Sequence, residues 1–442
     1  MIRQDKLFKT RGIITINIIF VVIAIFATSS GCSSKNKPEE LINDVAPTIV
    51  ENRSVWVFKQ YMEPGSVKPI EQWAPKRMEA AGQLVLKWSK DFIKYEGHGE
   101  KREKAIGLPN DWGIMMRDRF EKDEDIIHGI IDPNNGNYHP AFGIIGKTDG
   151  QRIYQDDNSG FTVSTCVSVD SLEKLWARGG YYPIAGGQND NYIINGSLLY
   201  SDNYTSKPNS IKRVDPETGN VIWSLELHKE NGKEIGIDDC APTKNYLWVF
   251  ISSYTDPEKD YRIEALHKID PQSGEVWSMN DINKAQIYSL IGSGSNELFV
   301  LTQEKDIAVI NESDDKLTII QTSSEFKEFA NKNMQVNFAI VNGRLFMEYG
   351  PDGNLEHYVL DAENKKIEEL RNWKSEYMSM YNSTLILSGL KQITAIDPIT
   401  FKQLWWIDQE DIESNGGFYV MWTDWRGALV KADDKIMCFG PK

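Results

Sequence analysis

The chain has 442 residues, of which 40% are hydrophobic and 26% are charged, a composition that excludes an intrinsically disordered protein. Its net charge of -15 at pH 7 argues against nucleic-acid binding, because an acidic surface repels phosphate. Its 13 Trp, 18 Tyr and 17 Phe residues favour a sheet-rich protein that buries aromatic rings between layers.

The first 31 residues have the pattern of a secretory signal peptide. Four basic residues precede an apolar stretch at 12–27: Arg3, Lys6, Lys9 and Arg11. The following Ser29-Ser30-Gly31-Cys32 resembles the bacterial lipoprotein box, although that box usually has Leu where Ser29 stands. The resemblance implies cleavage before Cys32 and lipidation of that residue, which would anchor the protein to a membrane outside the cytoplasm. The alternative is an uncleaved anchor helix, for which a bilayer needs about 20 apolar residues.

Residues 32–76 are predicted to be a lipid-anchored tether and a lead-in to the folded body at 77–442. The segment 33–40 is polar and has no periodicity, as is typical of a flexible linker. The run Gly82–Trp88 then reads as a β-strand without a neighbouring partner in sequence. We therefore expect it to join a sheet whose other strands lie elsewhere in the chain.

The stretch 90–137 does not fit the pattern that follows it and is predicted to be an insertion. It contains the charge run Glu100–Lys104 and then Leu108–Trp112, which read either as a binding loop on a scaffold or as a solvated loop. Near its end, Asp132–Asn137 offers oxygen ligands but lacks the spacing of a calcium loop. Asp, Asn and Gly are also the residues of ordinary hairpin turns, so no metal site is predicted.

A turn motif then recurs six times at intervals of 36 to 55 residues. Each copy has an aliphatic residue, an Asp or Asn and a turn cluster, and several have a Trp soon afterwards. Pro, Asx and Gly at these positions reverse the chain between two strands, so each copy predicts a β-hairpin. The copies at 214–223 and 269–277 are fullest, and the copy at Asn311 is worn. The marker residues are Asp170, Asp215, Asp270, Asn311, Asp361 and Asp397.

These intervals suit a four-stranded sheet with its connections, as in the blades of a β-propeller. The last run, Lys435–Gly440, resembles a third strand, but the chain ends before a fourth strand can form. Pairing it with Gly82–Trp88 would complete the final blade and remove an exposed sheet edge. The prediction is an all-β propeller of seven four-stranded blades, the last closed by an N-terminal strand. Six or eight blades remain compatible with the uneven intervals.

The pattern of Asp, two variable residues, Thr or Ser, Gly and then Trp resembles the pyrroloquinoline-quinone-type propeller repeat. That repeat is found in quinoprotein dehydrogenases and in the lipoprotein scaffold of the outer-membrane β-barrel assembly machinery. The resemblance covers 77–442 and implies that Trp residues dock each blade onto the next. By match of motif this role falls to Trp88, Trp176, Trp223, Trp277 and Trp405. A strand Trp is also an ordinary core residue, so the role is structural in either case.

No catalytic residue, cofactor or metal is predicted. Besides Cys32 the chain has Cys166, Cys240 and Cys438, none adjacent to another, whereas quinoprotein dehydrogenases commonly carry a vicinal pair beside the quinone. The sequence therefore predicts a non-catalytic, lipid-anchored scaffold of the cell envelope that binds a protein partner. One alternative is a propeller that binds extracellular glycan or another small ligand, with Trp422 and Trp425 as stacking residues. The other is a quinone-dependent dehydrogenase.

Overall fold

The computed structural model describes most of the chain beyond residue 68 and two short segments before it. Cys32 and the predicted signal peptide lie outside the described residues. In the part of the chain that is described, no helix is long and apolar enough to cross a membrane. The described ranges are 43–44, 58–62, 69–91, 102–117, 128–140, 144–157, 163–181, 192–201, 210–227, 234–254, 262–278, 287–331, 336–341, 343–350, 355–361, 363–370, 377–389, 391–412, 418–433 and 435–442.

Within these ranges the strands form eight antiparallel four-stranded units, which we number as blades in chain order. Blade 1 comprises Arg102–Gly107, Trp112–Arg117, His128–Ile131 and Tyr138–Pro140. Blade 2 comprises Ile144–Thr148, Arg152–Asp157, Val163–Ser168 and Lys174–Gly179. Blade 3 comprises Tyr192–Ile194, Ser197–Ser201, Ser210–Val214 and Val221–Leu227. Blade 4 comprises Glu234–Pro242, Leu247–Tyr254, Arg262–Ile269 and Val276–Ser278.

The remaining blades follow the same order, with one helix, Ser324–Asn331, before blade 6 and a 3-10 turn, Gln409–Asp411, before blade 8. Blade 5 comprises Ile287–Ser293, Glu297–Thr302, Ile307–Asn311 and Leu317–Ile320. Blade 6 comprises Val336–Val341, Arg344–Tyr349, Glu356–Asp361 and Lys366–Glu369. Blade 7 comprises Tyr377–Tyr381, Thr384–Ser388, Gln392–Ile396 and Gln403–Asp408. Blade 8 comprises Phe418–Asp424, Gly427–Ala432, Lys435–Gly440 and, from the N-terminal side, Val85–Asp91.

The blades close into a ring because each junction between consecutive blades has its own apolar core. Trp223 of blade 3, for example, packs in one buried cluster with Ile251 of blade 4. The last junction follows the same rule, since Met421 of blade 8 shares a buried cluster with Trp112 of blade 1. The described residues contain eight such clusters, one for each junction. The all-β propeller predicted from the sequence is therefore confirmed.

The predicted count of seven blades is wrong, and the structure has eight. The additional blade is blade 1, which occupies 102–140 and so falls largely within the predicted insertion. Its third and fourth strands are joined by Asp132–Gly136, a turn of the same kind as the six marked ones. The pattern is hidden because the fourth strand, Tyr138–Pro140, is short and contains no Trp.

The closing blade has the predicted composite form. Lys435–Gly440 pairs antiparallel with Val85–Asp91, so that Cys438 lies opposite Trp88. Gly82–Gln83, just before this strand, pairs in parallel with Trp405–Trp406 on the outer strand of blade 7. In blade 8, three C-terminal strands thus pair with one N-terminal strand. The closing seam, where the two ends of the chain meet, therefore lies inside a hydrogen-bonded sheet.

An antiparallel blade places its connections at two ends, which defines two faces of the disc. The turns between the first and second strands, and between the third and fourth, lie on one face, here called the turn face. The other connections lie on the opposite face, here called the loop face. In the described ranges the connections on the turn face are short, as at 195–196 and 243–246.

Candidate interaction surface

The turns between the third and fourth strands share one hydrogen-bonding pattern. In blade 3 the Asp215 carboxylate accepts the backbone N–H of Glu217 at 2.7 Å, and the Gly219 N–H donates to the Asp215 carbonyl at 2.8 Å. Gly219 has a φ of +70°, which a residue without a Cβ adopts at little cost. The Asp and Gly of the motif therefore shape the turn. The carbonyl of its second residue, Pro216, accepts a hydrogen bond from the preceding blade.

Three of the sequence-predicted Trp residues donate their indole N–H to a carbonyl in the next blade's turn. Trp88 of blade 8 donates to the Pro133 carbonyl of blade 1 at 2.7 Å. Trp176 of blade 2 donates to Pro216 of blade 3 at 2.9 Å. Trp223 of blade 3 donates to Gln272 of blade 4 at 3.3 Å.

A glycine in the receiving turn accompanies each of these three docked indoles. The positive-φ position of the turn is Gly136, Gly219 and Gly274 in the blades that receive Trp88, Trp176 and Trp223. A Cβ built on Gly136 would lie 2.7 Å from the Trp88 ring, and one on Gly219 would lie 2.7 Å from the Trp176 ring. Where the preceding blade docks no Trp, the same position holds a residue with a side chain: Leu172, Asp315, Lys365 and Phe401.

Trp277 of blade 4 departs from this arrangement and is 38% exposed. Its ring meets the Tyr246 ring of the same blade edge-on, with the centroids 5.7 Å apart. The receiving turn of blade 5 has Asp315 in place of glycine, and Lys268 fills the junction instead. The Lys268 ammonium donates to the Glu312 carbonyl at 2.7 Å and to the Asp315 carboxylate at 2.7 Å.

The register of the fourth strand also separates Trp277 from the other Trp residues. A β-bulge lies directly before Trp88, Trp176, Trp223 and Trp405. None is present in blade 4, where Ile269 pairs with Val276 and Lys268 with Trp277. A bulge re-aims the side chain that follows it. The sequence carries this signal, because Trp follows the marker Asp by eight residues at Asp215 and Asp397 but by seven at Asp270.

Trp405 of blade 7 is fully buried but has no turn to meet. Blade 8 takes its fourth strand from the N-terminal side, so a turn after its third strand does not exist. The Trp405 ring instead packs in an apolar cluster with Leu84 and Val430. Its indole nitrogen has no hydrogen-bond partner among the described residues. This is the one predicted Trp whose burial is purely apolar in the described part of the chain.

The lead-in segment 69–81, here called the strap, crosses the turn face. The Ile70 N–H donates to the Gly196 carbonyl of blade 3 at 3.1 Å, and the Trp73 N–H donates to Thr148 of blade 2 at 3.0 Å. Pro75 lies against Gly107 of blade 1, where an added Cβ would be 3.0 Å away.

The strap continues over the closing seam. The Trp425 N–H of blade 8 and the Asn382 side-chain amide of blade 7 both donate to the Lys76 carbonyl at 3.0 Å. Arg77 forms an ion pair with Asp397 of blade 7 at 3.0 Å. The strap therefore spans five consecutive blades, in the order 3, 2, 1, 8 and 7.

Upstream of the strap, the chain adds an outer strand to blade 3. Phe58–Met62 pairs antiparallel with Trp223–Leu227, residue for residue, and Asn43–Asp44 pairs with Lys59–Gln60. The rim of a blade thus accepts an extended segment through backbone hydrogen bonds. The sequence analysis did not predict this strand, which lies within the segment 32–76 that was interpreted as a tether and lead-in.

The aromatic pair that the sequence singled out lies where the strap meets blade 8. Trp425 is 42% exposed in a first-to-second-strand turn, and its ring lies 6.3 Å from that of Trp73. Trp422 is partly buried in the preceding strand and donates to the Asp424 carboxylate at 3.1 Å. The two side chains therefore do not form one exposed platform.

The polar groups beside Trp425 are committed to the closing junction. Asp424 is fully buried and accepts hydrogen bonds from Arg426 and from the Trp112 indole of blade 1, the latter at 2.8 Å. Arg426 also donates to the carbonyls of Leu108 at 3.0 Å and Asp111 at 2.9 Å. This network stabilises the contact between blades 8 and 1.

One buried carboxylate lies at the junction of blades 6 and 7 without a basic group that makes an ion pair of ordinary length. Glu348 is fully buried, and its carboxylate oxygen lies 3.7 Å from the His357 Nε2. Burial raises the pKa of Glu348 to about 7, and the amide of Asn337 acts in the opposite direction. Across the described residues, no group of three or more His, Cys, Asp or Glu side chains could hold a metal ion.

No protein-family model and no curated protein matches the sequence. Similar solved structures include BamB from Moraxella catarrhalis, which is 9% identical, with a TM-score of 0.43, over 81% of this chain and 99% of that one. The Dos1 propeller is 10% identical over 82% and 97% of the two chains, with a TM-score of 0.48. A europium-containing methanol dehydrogenase is 11% identical over 78% and 84%, with a TM-score of 0.44. These likenesses carry no conclusion about activity or partners.

Proposed function

We propose that the protein is a non-catalytic scaffold that binds other proteins at the rims of its blades and on its turn face. The observation that carries this proposal is the ladder between Phe58–Met62 and the outer strand of blade 3. Addition of a strand to an exposed sheet edge is a general mode of peptide recognition, in which backbone hydrogen bonds supply affinity and side chains supply specificity. The protein uses this mode within its own chain.

The rims of other blades offer apolar side chains beside their outer strands. Leu175 on blade 2 and Ile319 on blade 5 are each 48% exposed. The outer strand of blade 6, by contrast, carries Lys366, Glu368 and Glu369, the kind of charged edge that discourages pairing. Partner binding at rims is therefore expected to be confined to particular blades.

The cellular setting is part of the proposal and rests on the sequence. The signal-like residues 1–31 and the box ending at Cys32 support export and lipid attachment. The absence of adjacent cysteines in the sequence supports a non-catalytic role rather than quinone chemistry. In this proposal Cys32 joins the protein to a membrane of the cell envelope, and the strand at 58–62 attaches the tether to the rim of blade 3.

A ligand-binding propeller is the second candidate, favoured by the exposed ring of Trp425 beside Trp73. Sugar recognition needs polar groups as well as a stacking surface. The nearby Arg426 and Asp424 already bind each other and blade 1. This arrangement disfavours a sugar at that position.

Site-specific photo-crosslinking in the host tests the scaffold proposal. The photoreactive residue p-benzoylphenylalanine replaces Leu175 or Ile319 at the rims, and replaces Glu368, on the charged outer strand of blade 6, as the matched control. A discrete protein adduct at a rim position and none at the control is expected. If the rim positions yield no adduct and the purified protein retains a sugar or a quinone, the proposal is wrong.

A further inference from the structure

Trp277 and Tyr246 form a fixed aromatic pair on the turn face. The pair stays at the surface because Trp277, unlike Trp88, Trp176 and Trp223, does not dock into the turn of the next blade. The slot that receives an indole in blades 1, 3 and 4 is filled in blade 5 by Lys268 and Asp315. The Lys268 ammonium lies 4.2 Å from the centre of the Tyr246 ring, so the same cation also packs against the face of that ring. The exposed Trp277 ring meets Tyr246 edge-on.

The turn that carries Tyr246 is held in place by blade 5. Asn245 donates its backbone N–H and its side-chain amide to the Glu312 carboxylate. The neighbouring Lys244 N–H donates to the Ser295 carbonyl at 2.7 Å. An aromatic surface that is rigid before binding loses little conformational entropy on binding, which is the property of an interface anchor.

This aromatic pair lies on the part of the turn face that the strap leaves open. The described contacts of the strap reach blades 3, 2, 1, 8 and 7, and none of them reaches blades 4 to 6. Trp425, which is also exposed on this face, lies against Trp73 of the strap. The described contacts of the strap therefore leave Trp277 and Tyr246 uncovered.

The charges around the pair favour a cationic partner. Glu275 and Asp314 are exposed, and the Asp315 side chain is 44% exposed although one of its oxygens accepts from Lys268. Lys268 itself is buried and committed to blade 5, and the exposed cations in the turn-face turns of blades 4 and 5 are Lys244 and Lys316. The net charge of -15 adds a long-range field of the same sign as the carboxylates.

We propose that Trp277 and Tyr246, with Glu275, Asp314 and Asp315, form a docking site for a cationic protein segment. An arginine or lysine of the segment stacks on the exposed indole, and its neighbours pair with the carboxylates. The inference rests on the proposed scaffold function and specifies one of its contact surfaces and the charge of the partner.

The test places p-benzoylphenylalanine at Lys244, beside the pair, and identifies the crosslinked peptide by mass spectrometry. The expected peptide carries net positive charge. Its yield should fall at least fivefold in Trp277→Ala and in the charge reversal Asp314→Lys, and should stay unchanged in the matched variant Trp425→Ala. Unfolding midpoints of all variants establish that the fold is intact.

Three results would overturn the inference: a neutral or acidic crosslinked peptide, an unchanged yield in Trp277→Ala, or no adduct at Lys244. If Lys244 yields no adduct while Leu175 or Ile319 does, this site is wrong and the scaffold function stands. If none of the three positions yields an adduct, the scaffold proposal fails as well.

Discussion

At the junctions on the two sides of blade 4, different side chains donate hydrogen bonds to a carbonyl in the turn of the next blade. Between blades 3 and 4, the Trp223 indole and the Arg213 guanidinium both donate to the Gln272 carbonyl. Between blades 4 and 5, the Lys268 ammonium donates to the Glu312 carbonyl, and Trp277 stays at the surface. The turn carbonyl that faces the preceding blade is thus the constant feature, and the donor is variable.

The reason is that a buried backbone carbonyl needs a donor, whatever its chemical type. The junction of blades 6 and 7 follows the same rule, since Arg344 donates to the carbonyls of Pro398 at 3.0 Å and Ile399 at 2.9 Å. The comparison shows that an incomplete copy of the motif still forms a complete junction. In blade 5 Asp315 stands at the glycine position, Lys268 donates to the turn carbonyl, and Trp277 remains at the surface.

The largest expected effect is the difference between two Trp variants. Trp223→Ala removes a fully buried ring and should lower the free energy of unfolding by about 3 to 5 kcal/mol. Trp277→Ala removes a partly exposed ring and should cost less than about 1 kcal/mol. Denaturant midpoints measure both, with Trp223→Phe as a milder variant in case Trp223→Ala does not fold. Equal losses would contradict the assignment of the two junctions.

A second variant tests why glycine accompanies the docked indole. Gly219→Ala places a Cβ 2.7 Å from Trp176 at a φ of +70°, and we expect a loss of about 2 to 4 kcal/mol. The matched control is Lys365→Ala, at the same turn position of blade 6 with a φ of 54°, which should change stability by less than about 0.5 kcal/mol. A tolerated Gly219→Ala would show that the glycine serves the turn alone.

The donor of the worn junction is tested by Lys268→Met. This substitution leaves the Glu312 carbonyl and the Asp315 carboxylate without the ammonium, and should cost about 1 to 3 kcal/mol. The exposed Lys316→Met in the receiving turn of blade 5 is the control and should have little effect. Thermal unfolding of the two variants measures the difference, and a stabilised Lys268→Met protein would contradict the role of the ammonium as a junction donor.

The last expected effect depends on pH and concerns Glu348, a carboxylate buried at the junction of blades 6 and 7. Its pKa of about 7 in the folded protein lies above the ordinary 4.5, so the folded state binds the proton more tightly than the unfolded state. This contribution to stability is complete below pH 4.5 and is lost as the pH rises through 7. Asn337, His357 and Tyr377 face the same carboxylate.

Glu348→Gln should therefore gain about 2 to 3 kcal/mol relative to the wild type when the pH is raised from 5 to 8. Unfolding midpoints at the two pH values measure the change, and the exposed Glu363→Gln serves as the control. A pH profile that is the same in the wild type and in Glu348→Gln would show that this carboxylate does not titrate in that range.

Much of the fold could be predicted because each turn is specified by residues that are contiguous in the sequence. The Asp, Pro and Gly around Asp215 and Asp270 shape their hairpins locally, and the unpaired runs at 82–88 and 435–440 have complementary strand character. Blade 1 was missed because its turn at Asp132 was interpreted as an insertion and its fourth strand has no Trp. The turn motif therefore reveals a blade in the sequence only where that blade's copy of the motif is nearly complete.

The sequence by itself determined the repeated hairpins, the all-β propeller and the strand that closes it, since each depends on residues within one blade or on the pattern of two terminal runs. Only the tertiary structure decided the number of blades, the path of the strap and the exposure of Trp277. The physical reason is that the burial of a side chain at a junction depends on the residues that the neighbouring blade places against it. Trp277 stays at the surface where Asp315 of blade 5 binds Lys268 of blade 4, a contact that forms only after the two blades have packed together.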